Sequence, residues 1–128
     1  MKFNYPLISR ILIALVFVVA GVQKVTGFAG TVSFVDSLGV PFATLAVLLV
    51  ILIEVPVAIA YAWGYRVCVT GGILVAFTVM TTILVHRDIN SGVNMIMALK
   101  NIAIIGGILA TTGTCSCGRC YGLNPKDK

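Results

Sequence analysis

The stretch Phe42-Ala-Thr-Leu-Ala-Val-Leu-Leu-Val-Ile-Leu-Ile-Glu54-Val-Pro-Val-Ala-Ile-Ala-Tyr-Ala-Trp63 decides the fold of this chain. It is long enough to cross a bilayer as one α-helix, because a transmembrane helix needs about 20 predominantly apolar residues. Glu54 lies well inside the apolar run. A carboxylate facing lipid at that depth would cost roughly 2.5–3.5 kcal/mol on insertion scales. We therefore expect Glu54 to face other helices and to have a partner or a proton there.

The composition extends this interpretation to the whole chain. Of its 128 residues, 59% are hydrophobic and only 10% are charged. A soluble domain of this size leaves too much of its surface wet to hide so many apolar side chains. Four apolar runs each come close to the ~20 residues of a membrane span, at about residues 7–24, 42–63, 66–86 and 94–112. We therefore predict an all-α protein, a four-transmembrane-helix bundle.

Two further segments complete the predicted organisation. Residues 28–38 are too short to cross a bilayer, but apolar side chains mark one face of a helix there, at Phe28, Val32, Val35 and Leu38. We predict a short interfacial helix between helices 1 and 2. Residues 1–112 then form the four-helix membrane domain, and residues 113–128 form a polar, cysteine-rich tail.

The basic residues predict the orientation of the bundle. A net charge of +5 in a soluble protein could point to nucleic acid, but here Lys and Arg lie at the ends of spans. We therefore expect no nucleic-acid partner. More of the basic residues lie on the side that holds both termini and the 64–66 turn, and cytoplasmic loops are enriched in Lys and Arg. We predict a multi-pass protein of the cell (inner) membrane with both termini, and hence the tail, in the cytoplasm.

Polar residues within or near the spans are candidates for a shared pocket: Arg10, Lys24, Glu54, His86, Lys100 and Asn101. At a helix rise of 1.5 Å per residue, roughly 10 Å of depth separates Glu54 from its candidate partners Lys100 and Arg10. Lys24 and His86 lie near span ends, where long or amphipathic side chains commonly anchor a helix at the interface. The six residues could form a proton-active or ligand-binding pocket, or they could pin the helices together.

Helical periodicity predicts which faces point into the bundle. In the first span, one stripe holds Arg10, Ala14, Phe17, Gly21 and Lys24. In the fourth span, the inward stripe is predicted to hold Lys100, Ala103, Gly107 and Thr111. Both stripes contain small residues, which allow close approach of helices in lipid.

The cysteines leave three interpretations open. Cys115, Cys117 and Cys120 are closely spaced in the tail, and Cys68 lies near the same membrane face. Together they could supply the four ligands that structural zinc requires. Free or redox-active thiols are the favoured interpretation, because cytosolic thiols stay reduced. An inverted topology would favour a disulfide instead.

The order of these features resembles the DoxX family of small four-helix membrane proteins. The residues that carry the resemblance are Arg10, Val16-Phe17, Ala20-Gly21-Val22-Gln23-Lys24, Gly27-Phe28, Leu38-Gly39-Val40-Pro41, Glu54, Gly64-Tyr65-Arg66 and His86. The resemblance covers about residues 7–112 and leaves the cysteine-rich tail out. It implies a prokaryotic membrane protein whose relatives are associated with quinone-linked sulfur oxidation and with membrane-bound oxidative-stress complexes. It implies Glu54 and Lys24 as pocket residues and assigns no catalytic residue.

These observations lead to one interpretation of function and two alternatives. We expect an integral membrane subunit of a redox-linked complex, quinone- or thiol-associated, with a buried polar pocket around Glu54. An accessory subunit is favoured over a stand-alone enzyme, because the chain has one histidine and lacks the GxGxxG and GxxxxGKS/T phosphate motifs. The alternatives are a small-molecule or ion transporter and a non-catalytic assembly scaffold.

The same interpretation sets the expected cofactors and partners. The residues themselves name no cofactor; the resemblance implies a quinone, and a metal is less favoured. The expected partners are the lipid bilayer, other membrane or peripheral redox subunits, and a second copy of the chain.

Overall fold

The computed structural model describes residues 5–85 and 90–113, together with the backbone of residues 115–116 and 119–120. Its helices are α1 (Tyr5–Thr26), α2 (Phe28–Ser37), α3 (Ala43–Trp63), α4 (Val67–Val85) and α5 (Gly92–Gly113). Beyond α5, the two-residue strands β1 (Cys115–Ser116) and β2 (Arg119–Cys120) pair antiparallel. The all-α prediction is confirmed, and the short strand pair is an addition that the sequence pattern did not indicate.

The helices α1, α3, α4 and α5 are long and apolar enough to cross a membrane. Helix α2 has 10 residues and buries none of them, as expected of a helix that lies at an interface. The four predicted spans and the short helix between the first two are thus confirmed. Their boundaries differ from the sequence prediction by one or two residues at most ends, which is the usual uncertainty of helix termini.

The four long helices form a closed ring. Helix α1 packs mainly on α3, α3 packs on α4, α4 packs on α5, and α5 returns to α1. Helix α2 rests on α3 and touches α1 only sparsely. The buried core draws on every long helix and consists of Ala14, Phe17, Ala58, Tyr61, Val67, Leu74, Phe77 and Ile108. We call the end of the bundle that holds α2 the α2 end, and the opposite one the Gly64 end.

The turn between α3 and α4 sets the Gly64 end. Gly64 has φ 87°, in the left-handed region where glycine carries no steric penalty. The N–H groups of Gly64 and Tyr65 donate to the carbonyls of Tyr61 and Ala60, so the last turn of α3 is capped by backbone bonds. The chain therefore reverses within three residues, 64–66, and α3 and α4 are antiparallel neighbours.

The predicted inward face is right for α1 and wrong for part of α5. Arg10, Ala14, Phe17 and Gly21 are all buried in α1. In α5, Lys100 and Ala103 are exposed, and the buried residues are Ile108 and Thr111. The reason is a hydrogen bond: the amide nitrogen of Asn101 donates to Oγ1 of Thr82 at 2.8 Å. This bond turns Asn101, and not its neighbour Lys100, toward α4.

Candidate functional site

An ion pair joins α1 to α3. Lys24 lies in the last turn of α1, and its Nζ lies 2.9 Å from Oε1 and 2.8 Å from Oε2 of Glu54. The Glu54 side chain is 6% exposed and that of Lys24 is 28% exposed. Desolvating one charge is expensive unless an opposite charge and hydrogen bonds compensate for it, and here both carboxylate oxygens accept from the same ammonium. Glu54 therefore faces protein, as expected, and its partner is Lys24.

The choice of partner corrects the sequence analysis. Lys100 and Arg10 were taken as the candidate partners of Glu54, and neither of them pairs with it. Lys24 was placed on the inward stripe of α1 and, by the resemblance, in the pocket, but its position near the end of the span favoured an interface anchor over a partner for Glu54. The depth estimate assumed that neighbouring spans begin at one level. Instead, Gly21 lies level with Glu54, since a Cβ on Gly21 would lie 3.7 Å from the Glu54 Cβ. The start of α3 therefore projects beyond the end of α1, which brings Glu54 within reach of Lys24.

Gly21 is what allows this close approach of α1 and α3. A side chain at Gly21 would overlap the Cγ2 methyl group of Val55, the residue that follows Glu54. Small residues at such positions let helices approach closely in lipid, where packing replaces the hydrophobic effect as the driving force. The ion pair thus lies directly beside a close approach of the two helices.

A cavity of about 280 Å³ lies at the α2 end beside this ion pair. All five helices contribute to its lining, and most of the lining side chains are apolar. The polar side chains of the lining are Lys24, Thr31, Glu54, Thr78, Thr81, Lys100 and Asn101. We call it the Glu54 cavity. An apolar pocket with a few converging polar groups is the usual form of a small-molecule site, and the volume lies near the lower limit for such sites.

The structure brings some of the predicted pocket residues together and separates others. Lys24, Glu54, Lys100 and Asn101 all line the Glu54 cavity, with Lys100 exposed at its rim. Arg10 does not belong to it: Arg10 is 1% exposed at the Gly64 end. There its guanidinium group packs against the backbone at Gly64, 3.4 Å from where a Cβ would lie.

Several of the predicted residues fall outside the described part of the chain. His86 and Cys117 are not among the described residues, and only the backbone is described for Cys115 and Cys120. Cys68 is partly buried and lines a groove between α4 and α5. Within residues 5–85 and 90–113, no group of three His, Cys, Asp or Glu side chains is placed to hold a metal ion.

Sequence reasoning missed three threonines of the cavity. Thr31 was missed because α2 was interpreted as a surface helix and not as part of a pocket wall. Thr78 and Thr81 lie one turn apart on α4, and that spacing was the available signal. The hydroxyls of Thr31, Thr78 and Thr81 donate to the carbonyls of Gly27, Leu74 and Thr78 respectively, so their oxygens remain available as acceptors.

The charges of the cavity do not balance among the described residues. Lys24 and Glu54 neutralise each other, whereas Lys100 forms no ion pair with any residue in the described part of the chain. The cavity wall therefore offers ammonium donors and one surplus positive charge on an otherwise apolar surface. Such a lining suits a ring compound with oxygen acceptors, because the ring contacts apolar side chains and the oxygens accept from the ammonium groups.

Comparison with known proteins agrees with this fold. The model of the DoxX family matches residues 5–87, which is α1 to the end of α4. The chain belongs to the DoxX family. Two similar relatives of this DoxX chain are inner membrane proteins of Escherichia coli (strain K12). YqjF is 39% identical over 109 residues, 84% of this chain and 82% of the relative. YphA is 36% identical over 114 residues, 84% of this chain and 81% of the relative. No solved structure gives a significant match.

The DoxX match covers only part of the residues that line the Glu54 cavity. Lys24 and Glu54 lie inside the matched residues, and so do Thr31, Thr78 and Thr81. Lys100 and Asn101 lie beyond them, on α5. The ion pair is thus a feature of the part of the chain that defines the DoxX match, whereas the surplus positive charge is contributed by a helix outside it. The chain is an integral membrane protein of this family.

Proposed function

We propose that this DoxX protein is a subunit of a redox-linked complex of the inner membrane and that the Glu54 cavity binds the ring of a quinone. The observation that carries the proposal is the Lys24–Glu54 ion pair, which is held at 2.8 Å and faces a largely apolar cavity. An ionisable pair inside a membrane bundle is costly to retain and commonly marks a functional site. The inner-membrane relatives support the location. The association with quinone-linked oxidation is what the resemblance to the DoxX family implies.

The lining fits a quinone in size and chemistry. The side chains of Phe17, Val47 and Phe77 supply apolar walls, and all three are at most 5% exposed. Carbonyl oxygens on a ring accept hydrogen bonds, and the ammonium groups of Lys24 and Lys100 are donors without acceptor capacity. The cavity holds about 280 Å³, near the lower limit for small-molecule sites, which suits a single ring.

Each residue of the site has a definite task in this proposal. A bound quinone would supply two-electron redox chemistry. Lys24 holds a ring oxygen by a charge-assisted hydrogen bond. Glu54 fixes the position of the Lys24 ammonium and can exchange a proton with it, because the two groups are in direct contact. The apolar walls keep water away, which strengthens these electrostatic interactions.

We propose an accessory role, in which another membrane or peripheral subunit carries electrons to or from the quinone. Within the chain, the proposal assigns ring binding and proton handling to the residues of the Glu54 cavity. A second copy of the chain is a further partner that detergent-purified material can reveal. The alternatives remain distinct: a transporter would move a solute across the bilayer, and a scaffold would affect only the yield of a complex.

Photolabelling with an azidoquinone tests the proposal. The protein is reconstituted in lipid nanodiscs, illuminated with the probe, and the labelled peptides are mapped by mass spectrometry. We expect label on cavity-lining segments of α1, α3 and α4. The double variant Lys24→Met/Glu54→Leu removes the ion pair without leaving either of its charges unpaired, and it should lower labelling by about tenfold, the effect of losing ~1.5 kcal/mol of charged hydrogen bonding.

The variant Asp36→Asn is the matched control, because Asp36 is an exposed carboxylate on α2 that does not line the cavity. It should label like the wild type. Label that falls on the Gly64 end, or labelling by the double variant at the wild-type level, would contradict quinone binding in this cavity. Unchanged labelling combined with a lower yield of a co-purified complex would favour the scaffold.

A further inference from the structure

A second space adjoins the Glu54 cavity. It lies between α1 and α2 and has a volume of about 430 Å³; we call it the α1–α2 gap. The side chains of Ala20, Lys24, Thr31 and Phe34 line both spaces. Gly27 and Gly30 line only the gap. The two spaces are therefore separated by a single layer of shared side chains and not by a packed helix.

The seam between α1 and α2 is more loosely packed than other walls of the cavity. The α1–α3 seam is closed by Gly21 against Val55 and by the ion pair. The α4–α5 seam is closed by the hydrogen bond from Asn101 to Thr82. By contrast, α2 touches α1 only sparsely, and none of its residues is buried. Of these three seams, the one between α1 and α2 therefore offers least resistance to a molecule that enters between helices, because the fewest contacts must be broken there.

The lining of the gap suits an amphipathic molecule, because Gln23, Lys24 and Thr31 are polar whereas Ala20 and Phe34 are apolar. Gly27 and Gly30 present no side chain, and Phe34 is 49% exposed. On a helix that lies in the interface, an exposed Phe ring belongs to the apolar face that contacts lipid. Lys24 forms part of the inner wall, so an oxygen-bearing ring that enters from lipid passes along Phe34 and then reaches the ammonium group.

We infer that the Glu54 cavity receives its ligand laterally from the bilayer, through the α1–α2 gap, and hence that the ligand is a membrane-dissolved ring compound and not a water-soluble one. The inference rests on the proposed function and adds the route by which the ligand arrives. Phe34 is the side chain that must shift to admit it, since Lys24 is held by Glu54, and α2 is the helix that must move.

Glycines of the chain provide a matched pair of variants for this route. Gly30 lines the gap but not the cavity, and a Cβ placed there meets nothing within 4 Å. Gly106 is an exposed glycine on α5 that lines neither space, and a Cβ there also meets nothing within 4 Å. Gly30→Leu therefore adds a bulky side chain at the lining of the gap without a backbone clash, and Gly106→Leu makes the same chemical change elsewhere in the bundle.

The experiment measures binding rates of the azidoquinone in nanodiscs by rapid mixing followed by flash photolabelling at set times. Gly30→Leu is expected to slow association and dissociation together, each by about tenfold, as narrowing a route does when the site itself is unchanged. The dissociation constant should stay within about twofold of the wild type, because the rates change in parallel. Gly106→Leu is expected to match the wild type in both rates.

The outcomes separate this inference from the proposed function. A wild-type protein that binds no azidoquinone overturns the proposed function, and the route falls with it. A wild type that binds, together with unchanged rates in Gly30→Leu, overturns the route alone and points to access between other helices. Weaker equilibrium binding by Gly30→Leu with unchanged association also overturns the route, because residue 30 would then act on the site and not on its access.

Discussion

The Nζ atom of Lys24 lies 2.9 Å from one carboxylate oxygen of Glu54 and 2.8 Å from the other. One ammonium group thus serves both oxygens of a carboxylate that is almost fully buried. The two residues are on different helices, so the pair stabilises a specific pairing of α1 with α3 as well as neutralising both charges. The stability of the contact between α1 and α3 therefore depends on the presence of both side chains.

We predict that either single variant, Lys24→Met or Glu54→Leu, destabilises the bundle. Breaking a buried pair typically costs ~3–5 kcal/mol, and we expect the lower part of that range because Lys24 keeps 28% exposure. The double variant Lys24→Met/Glu54→Leu should recover most of the loss, since replacing both charges by apolar groups leaves none unpaired. Unfolding in mixed detergent micelles, analysed as a double-mutant cycle, measures this. Additive losses would show that the two side chains do not act as a pair.

Replacing either of two neighbouring glycines of α4 by alanine should affect stability in opposite directions. At Gly71 a Cβ would lie 2.6 Å from Cγ2 of Thr112 and 3.3 Å from the Tyr61 ring. Gly71→Ala should therefore destabilise the protein by about 1–3 kcal/mol through overpacking. At Gly72 a Cβ meets nothing within 4 Å, so Gly72→Ala should be neutral or stabilising by up to about 1 kcal/mol. Thermal unfolding of both variants in one detergent is the measurement, and equal effects would contradict the described packing of α4 on α5.

The hydrogen bond between Asn101 and Thr82 should contribute modestly to stability. Interhelical hydrogen bonds in membrane proteins average about 0.6 kcal/mol in double-mutant cycles. We expect a coupling of about that size between Asn101→Leu and Thr82→Val, because the bond measures 2.8 Å and is partly buried. The pair Asn101→Leu and Thr44→Val serves as the control, since Thr44 is exposed at the start of α3 and should show no coupling. A coupling near zero for the Asn101–Thr82 pair would argue against the orientation of α5 in which Asn101 faces α4.

The orientation predicted from the basic residues can be tested by thiol labelling. In one variant Cys115 is kept while the other cysteines are changed to Ser; a second, cysteine-free variant carries Ser37→Cys on the exposed side of α2. A membrane-impermeant maleimide applied to intact spheroplasts should label residue 37 and spare residue 115. The reverse should hold in inside-out vesicles, because cytoplasmic segments are enriched in Lys and Arg. The opposite pattern would invert the topology and favour a disulfide in the tail.

The sequence was informative wherever one helix could be considered alone. Apolar length predicted the four spans, and the spacing of Arg10, Ala14, Phe17 and Gly21 predicted the buried face of α1. It was insufficient wherever two helices had to be aligned with each other. The pairing of Lys24 with Glu54 was not predicted, because the axial offset between α1 and α3 depends on the approach of Gly21 to Val55, two residues far apart in the chain.

The inward face of α5 shows the same limitation. Lys100 and Asn101 are adjacent polar residues, and periodicity alone cannot choose which of them turns toward the neighbouring helix. The hydrogen bond to Thr82 makes that choice, and it requires the position of α4 to be known. The contribution of α2 to the Glu54 cavity was missed for a related reason, since its short amphipathic pattern indicates a surface helix and not what lies beneath it.

Helix α1 is secured at both extremities, by Arg10 against Gly64 and by Lys24 on Glu54. Helix α1 therefore cannot slide along α3 or rotate about its own axis without breaking the contact of one of these two charged side chains. Movements within the bundle are therefore expected in elements without such contacts, above all in the short helix α2 that follows α1. A force applied to the N-terminal end of α1 would accordingly move α1 and α3 together.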